Sequence, residues 1–501
     1  MMDKKRLIGF AVAVAAAFAG CINLPSVGPD YVEPEFDLPA SALPDAGMPT
    51  TNLTETCEYV PAGEAEDVRI AVSEDIMERW WERLDDPVLK DLIEGAVTNN
   101  ANFLIMRRRF EQAGWSMLGS YSAFMPSATV EGSATRRELH RHNPSVGGSR
   151  RHVLSDDFKG GVSATWELDL FGGSRRSLEY AIAQAEAAGW NVEDAWLSLT
   201  SQIGCQYVNL RTTQERIAVA RTNLVLQSET YDILKSRLDS GIGDELAVNQ
   251  CAYAVETTRA RIPSLLAQEE SLKNSLAILA GRMPGSLHDE LKPVPDRDWL
   301  LAPQKVAELP LDMMRARPDV KSAERALAAE VANIGVAKSS WYPRLFLNGS
   351  VGMESPRFSN VAQPGSFYAS IGPAISWPLI QGGNVFAQVK IAEARMEEAR
   401  LSYELALESA YGDVRDCYAA YTQEYHRYQA LKSAVKAAID AVSISTDLYQ
   451  NGLKDFNNVL DAQRSRLNLE EELAESRGQI TLDLINLYRA LGGGLSADMI
   501  Q

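Results

Sequence analysis

The sequence predicts a mainly α-helical chain with a small membrane-type β part, the whole built twice. Three observations carry this expectation. From Asn384 to Gln450 there is no proline and a single glycine, Gly412. About 210 residues upstream, Ser174 to Ser240 is again free of proline, so an internal repeat governs the fold. Each of these stretches follows an alternating run that ends at paired glycines: FKGGVSATWELDL before Gly172-Gly173, and FYASIGPAISWPL before Gly382-Gly383.

The helices follow from spacing. In the second copy Tyr411, Val414, Tyr418, Tyr421, Tyr425 and Tyr428 step alternately by three and four, the period of a coiled-coil seam. One shorter step later the pattern resumes at Leu431, Val435, Ala438 and Val442, a local change of supercoil. Trp196, Leu199, Ile203, Tyr207 and Leu210 mark the matching seam in the first copy. About 67 residues of helix span roughly 100 Å at ~1.5 Å per residue. Asn451-Gly452 stops the second helix and a return helix opens at Asp455; Gly241-Ile242-Gly243 stops the first, with a return helix over 244–281. Upstream, Asp86-Pro87 opens a helix expected over 88–124, and another is expected from Leu311 to Tyr342.

The N-terminus reads as an export signal. Lys4-Lys5-Arg6 precede the apolar run Leu7–Ala19, and Gly20-Cys21 follows. That run is shorter than the ~20 residues of a spanning helix. Phe18-Ala19-Gly20-Cys21 resembles a bacterial lipobox, which implies a lipid on Cys21 after cleavage; an ordinary signal peptide with an unmodified cysteine is the alternative. Removing residues 1–20 takes away Asp3, Lys4, Lys5 and Arg6, so the net charge moves from −18 to −20. So acidic a chain is a poor nucleic-acid binder. Cys57, Cys205, Cys251 and Cys417 lack metal-ligand spacing and leave a disulfide open. The expected organisation is a signal peptide over 1–20, an extended tether over 21–72, a first repeat over 73–282, a linker over 283–310, a second repeat over 311–492 and a tail over 493–501.

Strands are expected at 126–139, 158–170, 343–355 and 367–379. Val162, Ala164, Trp166 and Leu168 alternate with Ser163, Thr165 and Glu167; Leu345, Leu347 and Val351 oppose Asn348 and Ser350. That dyad pattern fits a half-buried soluble sheet and an outer-membrane strand equally. The export signal and the great helix length favour the membrane. Four strands cannot close a barrel, and open edges are not tolerated in lipid. Several copies must therefore pool their strands, and three copies give twelve.

Val27-Gly28-Pro29-Asp30-Tyr31, Trp80-Trp81, Arg317-Pro318-Asp319, Ala323-Glu324, Ile334-Gly335-Val336-Ala337 and Tyr342-Pro343-Arg344-Leu345 resemble the TolC-like outer-membrane efflux proteins of the NodT type. RARIPSL over 259–265 and DFNNVLDAQRSRL over 455–467 extend the resemblance along nearly the whole chain. It implies a homotrimer with a 12-stranded barrel in outer-membrane lipid and a 12-helix periplasmic tunnel. It further implies a periplasmic membrane-fusion adaptor and an inner-membrane RND-type transporter as partners. By resemblance Asp461 forms a ring of three carboxylates at the closed constriction, with Asn458 and Asn457 where relatives carry an aspartate or a leucine. Lys454 and Asp455 could pair with a neighbouring helix and hold the gate shut. Gly241, Gly243 and Gly452 form the tip turns, and Gly172, Gly173, Gly382 and Gly383 the strand-to-helix turns. Ala247 stands where relatives often place an aspartate.

Other features point to no chemistry. His140-Arg141-His142 with Arg136, Arg137, Arg150, Arg151 and His152 reads as a solvated loop between the first two strands. The chain shows no phosphate loop, no zinc-protease motif and no nucleophile elbow, so no enzyme, metal or cofactor is expected. Three readings remain: a duct for drugs or small solutes, a duct for secreted polypeptides, and a non-conducting coiled-coil spacer.

Overall fold

The computed structural model describes residues 26–34, 80–84, 86–142, 150–294 and 315–493. The signal peptide, Cys21, Cys57, most of the tether, residues 295–310 of the linker and residues 494–501 lie outside the described residues.

The helices are α1 (Pro87–Asn99), α2 (Ala101–Tyr121), α3 (Gly173–Asp239), α4 (Glu245–Leu279), α5 (Pro318–Ser339), α6 (Asn384–Gln450) and α7 (Phe456–Ala490). α3 and α6 are each 67 residues long, and α4 and α7 each 35, so the two repeats match in length. One expected helix is divided: the 88–124 pattern breaks at Asn100, whose backbone is extended. Asn100 Oδ1 accepts from Phe103 N (2.9 Å) and its Nδ2 donates to Leu279 O (2.8 Å). A side chain that caps the next helix and ties down another outcompetes the continuous ladder.

The chain divides into two compact units. The first comprises Met1–Glu35, Phe110–Ala187 and Ala323–Tyr403. It holds β1 (Ser127–His142), β2 (Arg150–Leu168), β3 (Arg344–Ser355) and β4 (Phe367–Ser376), antiparallel in the order β1-β2-β3-β4. Pairing of β2 with β3 ends at Phe158 opposite Ser355, whereas β1 and β2 stay paired to His142 opposite Arg150. The basic cluster expected in a loop is therefore largely strand: His140 stands opposite His152 and Arg141 opposite Arg151. Composition pointed to a loop, but the register simply continues past the last third-strand partner.

Both repeats finish their hairpins alike. Trp166 Nε1 donates to Phe124 O (2.9 Å) just before β1, and Trp377 Nε1 to Trp341 O (3.1 Å) just before β3. Residues 26–34 form a strap in the same unit. Arg176 holds it, donating to Val27 O (3.4 Å), Gly28 O (3.5 Å) and Asp30 Oδ1 (2.6 Å) while pairing with Glu179 (2.7 Å). Gly28, at φ +113°, lies so near Gly335 that a Cβ on it would sit 2.6 Å from the Gly335 Cα. Tyr31 completes the strap, its hydroxyl donating to Glu324 (3.5 Å) with the Arg325 guanidinium 5.7 Å from its ring centroid.

The second unit comprises Phe36–Arg109, Ala188–Ser322 and Glu404–Gln501. Its core joins Trp80, Trp81, Leu92, Ile93, Ile203, Tyr207, Leu210, Ile480, Leu484 and Tyr488. Most of the tyrosine seam lies here: Val414 and Tyr421 are buried in this core, and Tyr411, Tyr418 and Tyr428 pack against it. Buried Arg211 donates to the Tyr207 hydroxyl (2.6 Å) and to Lys292 O (2.8 Å), and Tyr207 donates to Asp86. The Arg317-Pro318-Asp319 motif also gains a physical reason. Arg317 donates to both Asp319 oxygens (3.0 and 2.8 Å), to Asp413 on α6 (3.1 Å) and to Ala490 O at the end of α7 (2.9 Å), clamping three helices. Arg317→Ala should destabilise the protein by about 3 kcal/mol, because a buried, multiply bonded charge leaves its partners unpaired; thermal denaturation would read this.

Asp483 is 7% exposed on α7, and burial pushes its carboxyl above the usual range against the hydrogen bond from Gln479 (2.7 Å). A raised folded-state pKa favours the protonated form, so this site is most favourable at low pH and costs stability as pH rises through the raised value. Asp483→Asn should therefore raise the melting temperature at pH 7, and the gain should vanish below pH ~4, where the unfolded carboxyl is protonated too.

Candidate channel wall and gate

The sheet has two chemically opposite faces. On one, Thr129, Ser163, Ser350 and Ser370 fall in a single row across all four strands. Thr129 and Ser163 share a hydrogen bond of 2.8 Å, and Ser350 and Ser370 one of 2.7 Å. Ser127, Thr165 and Asn348 form the next row on the same face. On the opposite face Val130, Val162 and Val351 stand in register, and Leu168, Leu345 and Ile375 do so nearer the helices. Several positions on this face are open: Val130 is 85% exposed, Ile375 73%, and Ile371, opposite Gly349, 61%. An apolar face this bare is suited to lipid, and a hydroxyl-lined face to water. Among the described residues β1 and β4 each leave one edge unpaired. Among the described residues no helix is long and apolar enough to cross a membrane.

The strand-to-helix turns carry the expected glycines with one difference. Gly172 (φ 82°), Gly382 (φ 58°) and Gly383 (φ 85°) are left-handed. Gly173 is not; it opens α3, where a Cβ would meet Ser339 Oγ at 2.7 Å.

At the other ends of the long helices the two tips are capped identically. Gly241 N donates to Leu238 O (2.8 Å) and Ile242 N to Arg237 O (3.1 Å); Gly452 N donates to Tyr449 O (3.0 Å) and Leu453 N to Leu448 O (2.9 Å). With Gly241 at φ 74° and Gly452 at φ 71°, both are Schellman caps. Gly243 has no left-handed φ, but a Cβ there would strike Leu238 N at 2.4 Å. Leu234, Ala247, Val248, Cys251, Phe456, Val459 and Leu460 join the tips in one apolar cluster. Tyr449 packs edge-on against Phe456 (5.2 Å), with the Arg237 guanidinium 5.7 Å from the Tyr449 ring. Ala247 is 2% exposed within that cluster, so an aspartate there would be an unpaired buried charge.

The second tip brings the expected gate residues to one surface. Lys454, Asp455, Asn457, Asn458 and Asp461 are all exposed, and Asn457, Asn458 and Asp461 share a stripe of α7 opposite buried Phe456, Val459 and Leu460. Asp455 stands at the N-cap without using its side chain, whereas Asp244 at the first tip accepts from Leu246 N (3.0 Å). Among the described residues Lys454, Asp455 and Asp461 form no ion pair. Sequence reading missed Arg176 and the Tyr449–Phe456 packing; the strap motif was the only signal toward the former, and no local pattern marks the latter. Cys205, Cys251 and Cys417 are free thiols.

The two-faced sheet has the chemistry of a membrane-barrel wall, and the comparisons agree. The model of the family described as outer membrane efflux protein matches residues 92–282 and 309–493, so the chain belongs to that family. It is 28% identical over 481 residues to nodulation protein T of Rhizobium leguminosarum bv. trifolii, covering 95% of both chains. It is 27% identical to outer membrane protein OprJ of Pseudomonas aeruginosa, over 83% of this chain and 86% of OprJ. Among solved structures, the outer-membrane channel OprN superposes with a TM-score of 0.79 at 29% identity, over 93% of this chain and 99% of that one. The open-state outer membrane channel MtrE of Neisseria gonorrhoeae gives 0.74 at 25% identity, over 94% of this chain and 99% of its own. The chain is an outer-membrane protein with a helical periplasmic part, of the fold shared by these efflux channels.

Phe456→Ala should speed amide exchange across 449–460, since truncating a buried aromatic costs about 3–5 kcal/mol of local packing. Asp461→Ala should leave that exchange unchanged, separating the tip's scaffold from its surface chemistry.

Proposed function

We propose that this protein is the exit duct of a tripartite efflux system, passing drugs or other small solutes outward from an inner-membrane pump of the RND type through a periplasmic adaptor. The observation that carries this reading is the sheet with one apolar face, one hydroxyl face and two open edges. Three chains joined edge to edge form a 12-stranded barrel with lipid outside and water inside, and the paired long helices of each repeat form the tunnel. The family and the relatives support it, among them OprJ, MtrE and the toluene efflux pump outer membrane protein TtgC of Pseudomonas putida.

The second tip is the gate. Asp461 from three chains forms a ring of carboxylates in a narrow bore, flanked by the amides of Asn457 and Asn458, and the focused field favours cations. Lys454 and Asp455, both exposed at this tip, pair with a neighbouring helix and hold the gate shut. Both tips serve as the adaptor's docking end. Cys21 carries the lipid that tethers the mature chain to the membrane.

Native mass in mild detergent tests the assembly. Three chains, each beginning at acylated Cys21, are expected; a lipidated monomer overturns the duct. In planar bilayers Asp461→Ala should reduce cation selectivity and cation block severalfold, and unchanged behaviour removes the gate assignment. Deletion of the gene should raise drug sensitivity; loss of one secreted polypeptide instead would identify a secretion duct.

A further inference from the structure

The polar face of the sheet carries a second charged station that the tip does not account for. Lys159 stands in register between Ser133 and Glu354. Its Nζ lies 3.9 Å from Glu354 Oε2 and 4.7 Å from the centroid of the Tyr368 ring. Tyr368 shares a row with Gly161 and Gly352 and lies against both. A Cβ on Gly161 would reach 3.1 Å from the Tyr368 hydroxyl, and one on Gly352 2.9 Å from the ring. The aromatic ring is thus held between bare backbone and an ammonium, and the ammonium between a ring and a carboxylate. Two strand positions from Lys159 toward the helices, Glu131 accepts from Ser163 (3.2 Å) and Thr129 (3.4 Å) at the edge of the hydroxyl row.

Along this part of the face the charges are Glu131, Lys159 and Glu354, one cation against two carboxylates. Arg137 and Asp157 lie further out, and Arg344 stands 3.9 Å from Glu167 at the helix end. We propose that Lys159, fixed by Glu354 and Tyr368, sets the charge selectivity of the barrel end, holding it near charge balance so that anionic as well as cationic solutes pass. Without it the described charges of this face fall from three cations (Arg137, Lys159, Arg344) against four carboxylates (Glu131, Asp157, Glu167, Glu354) to two against four, repeated in every copy of the chain. The cation–π contact and the salt bridge keep the ammonium at the wall rather than across the bore. The inference rests on the reading that this face lines the duct. It assigns the barrel a permissive role and leaves charge discrimination to the tip.

The test measures the local potential directly and does not need an open gate. A cysteine placed at Ser350 in the hydroxyl row is modified in the membrane-embedded protein with a cationic and an anionic thiosulfonate reagent, and the two rates are compared. The parent protein supplies the background from its native cysteines, Cys57, Cys205, Cys251 and Cys417. In the Ser350→Cys protein, adding Lys159→Glu should raise the cation-to-anion rate ratio about threefold at ~0.01 M ionic strength, and the effect should collapse at ~1 M. Lys159→Gln, a milder change, should give about half that effect on a logarithmic scale, while Lys159→Arg should leave the ratio where it was. A ratio unmoved by both Lys159→Glu and Lys159→Gln, with the cysteine still reactive, overturns the proposal alone. An unreactive cysteine at Ser350 beside a reactive Val351→Cys on the opposite face overturns the lining of the duct, and the proposal with it.

Discussion

The unpaired edges of a two-faced sheet are the constraint on which the rest depends. Each buried backbone group needs a partner, and in hydrocarbon no water supplies one. The sheet here ends at β1 on one side and β4 on the other, with apolar side chains open along one face. Such an object is unstable alone both in water, where the apolar face is bare, and in lipid, where the edges are. Closure with further copies answers both demands at once. Oligomerisation is then a condition for the β part to exist in the membrane rather than an embellishment of a finished monomer.

The junction between strands and helices shows how the chain enforces this arrangement. A left-handed glycine at each turn allows the change of direction that a residue with a Cβ resists. A tryptophan at the end of each hairpin then reaches back to the carbonyl of the segment that entered it, Trp166 to Phe124 and Trp377 to Trp341. Because both repeats use the same device, the two hairpins leave the helices in equivalent ways, as successive hairpins of one barrel require. The strap adds a second lock on the first repeat, with Arg176 satisfying three acceptors on 27–30 in place of a regular element.

Much of this was legible in the sequence because it is periodic. The long helices, their seams and the alternating strands are repeats of 3.5 and 2, and a period survives whatever surrounds it. The glycine tips were equally plain, since few residues substitute at a positive φ. What escaped was non-periodic and depended on partners distant in the chain. The break at Asn100 requires Leu279, and the clamp of Arg317 requires Asp413 and Ala490. The extension of the first hairpin through His142 ran against a composition that looked like a loop. In the candidate gate, the stripe Asn457, Asn458 and Asp461 follows from helical spacing, but its exposure does not; that comes from Phe456, Val459 and Leu460 turning inward against the first tip.

The two tips, built on the same plan, have diverged in a way that separates scaffold from function. At the first, Asp244 spends its carboxylate on capping α4, and Ala247 is sealed into the apolar cluster. Glu245 stays exposed on that turn, beside the capping Asp244. At the second, Asp455 occupies the same cap position without bonding through its side chain, and the next turn presents amides and a carboxylate to the surface. Because the Schellman turns and the shared cluster hold both tips to one geometry, this difference in polar groups is not a by-product of different backbones. The first tip supplies the packing surface on which the second rests, and Asp461 stands on the exposed face of a helix whose buried side is already fixed. A gate needs that division, since a carboxylate that also held the fold together could not respond to its surroundings without loosening the fold.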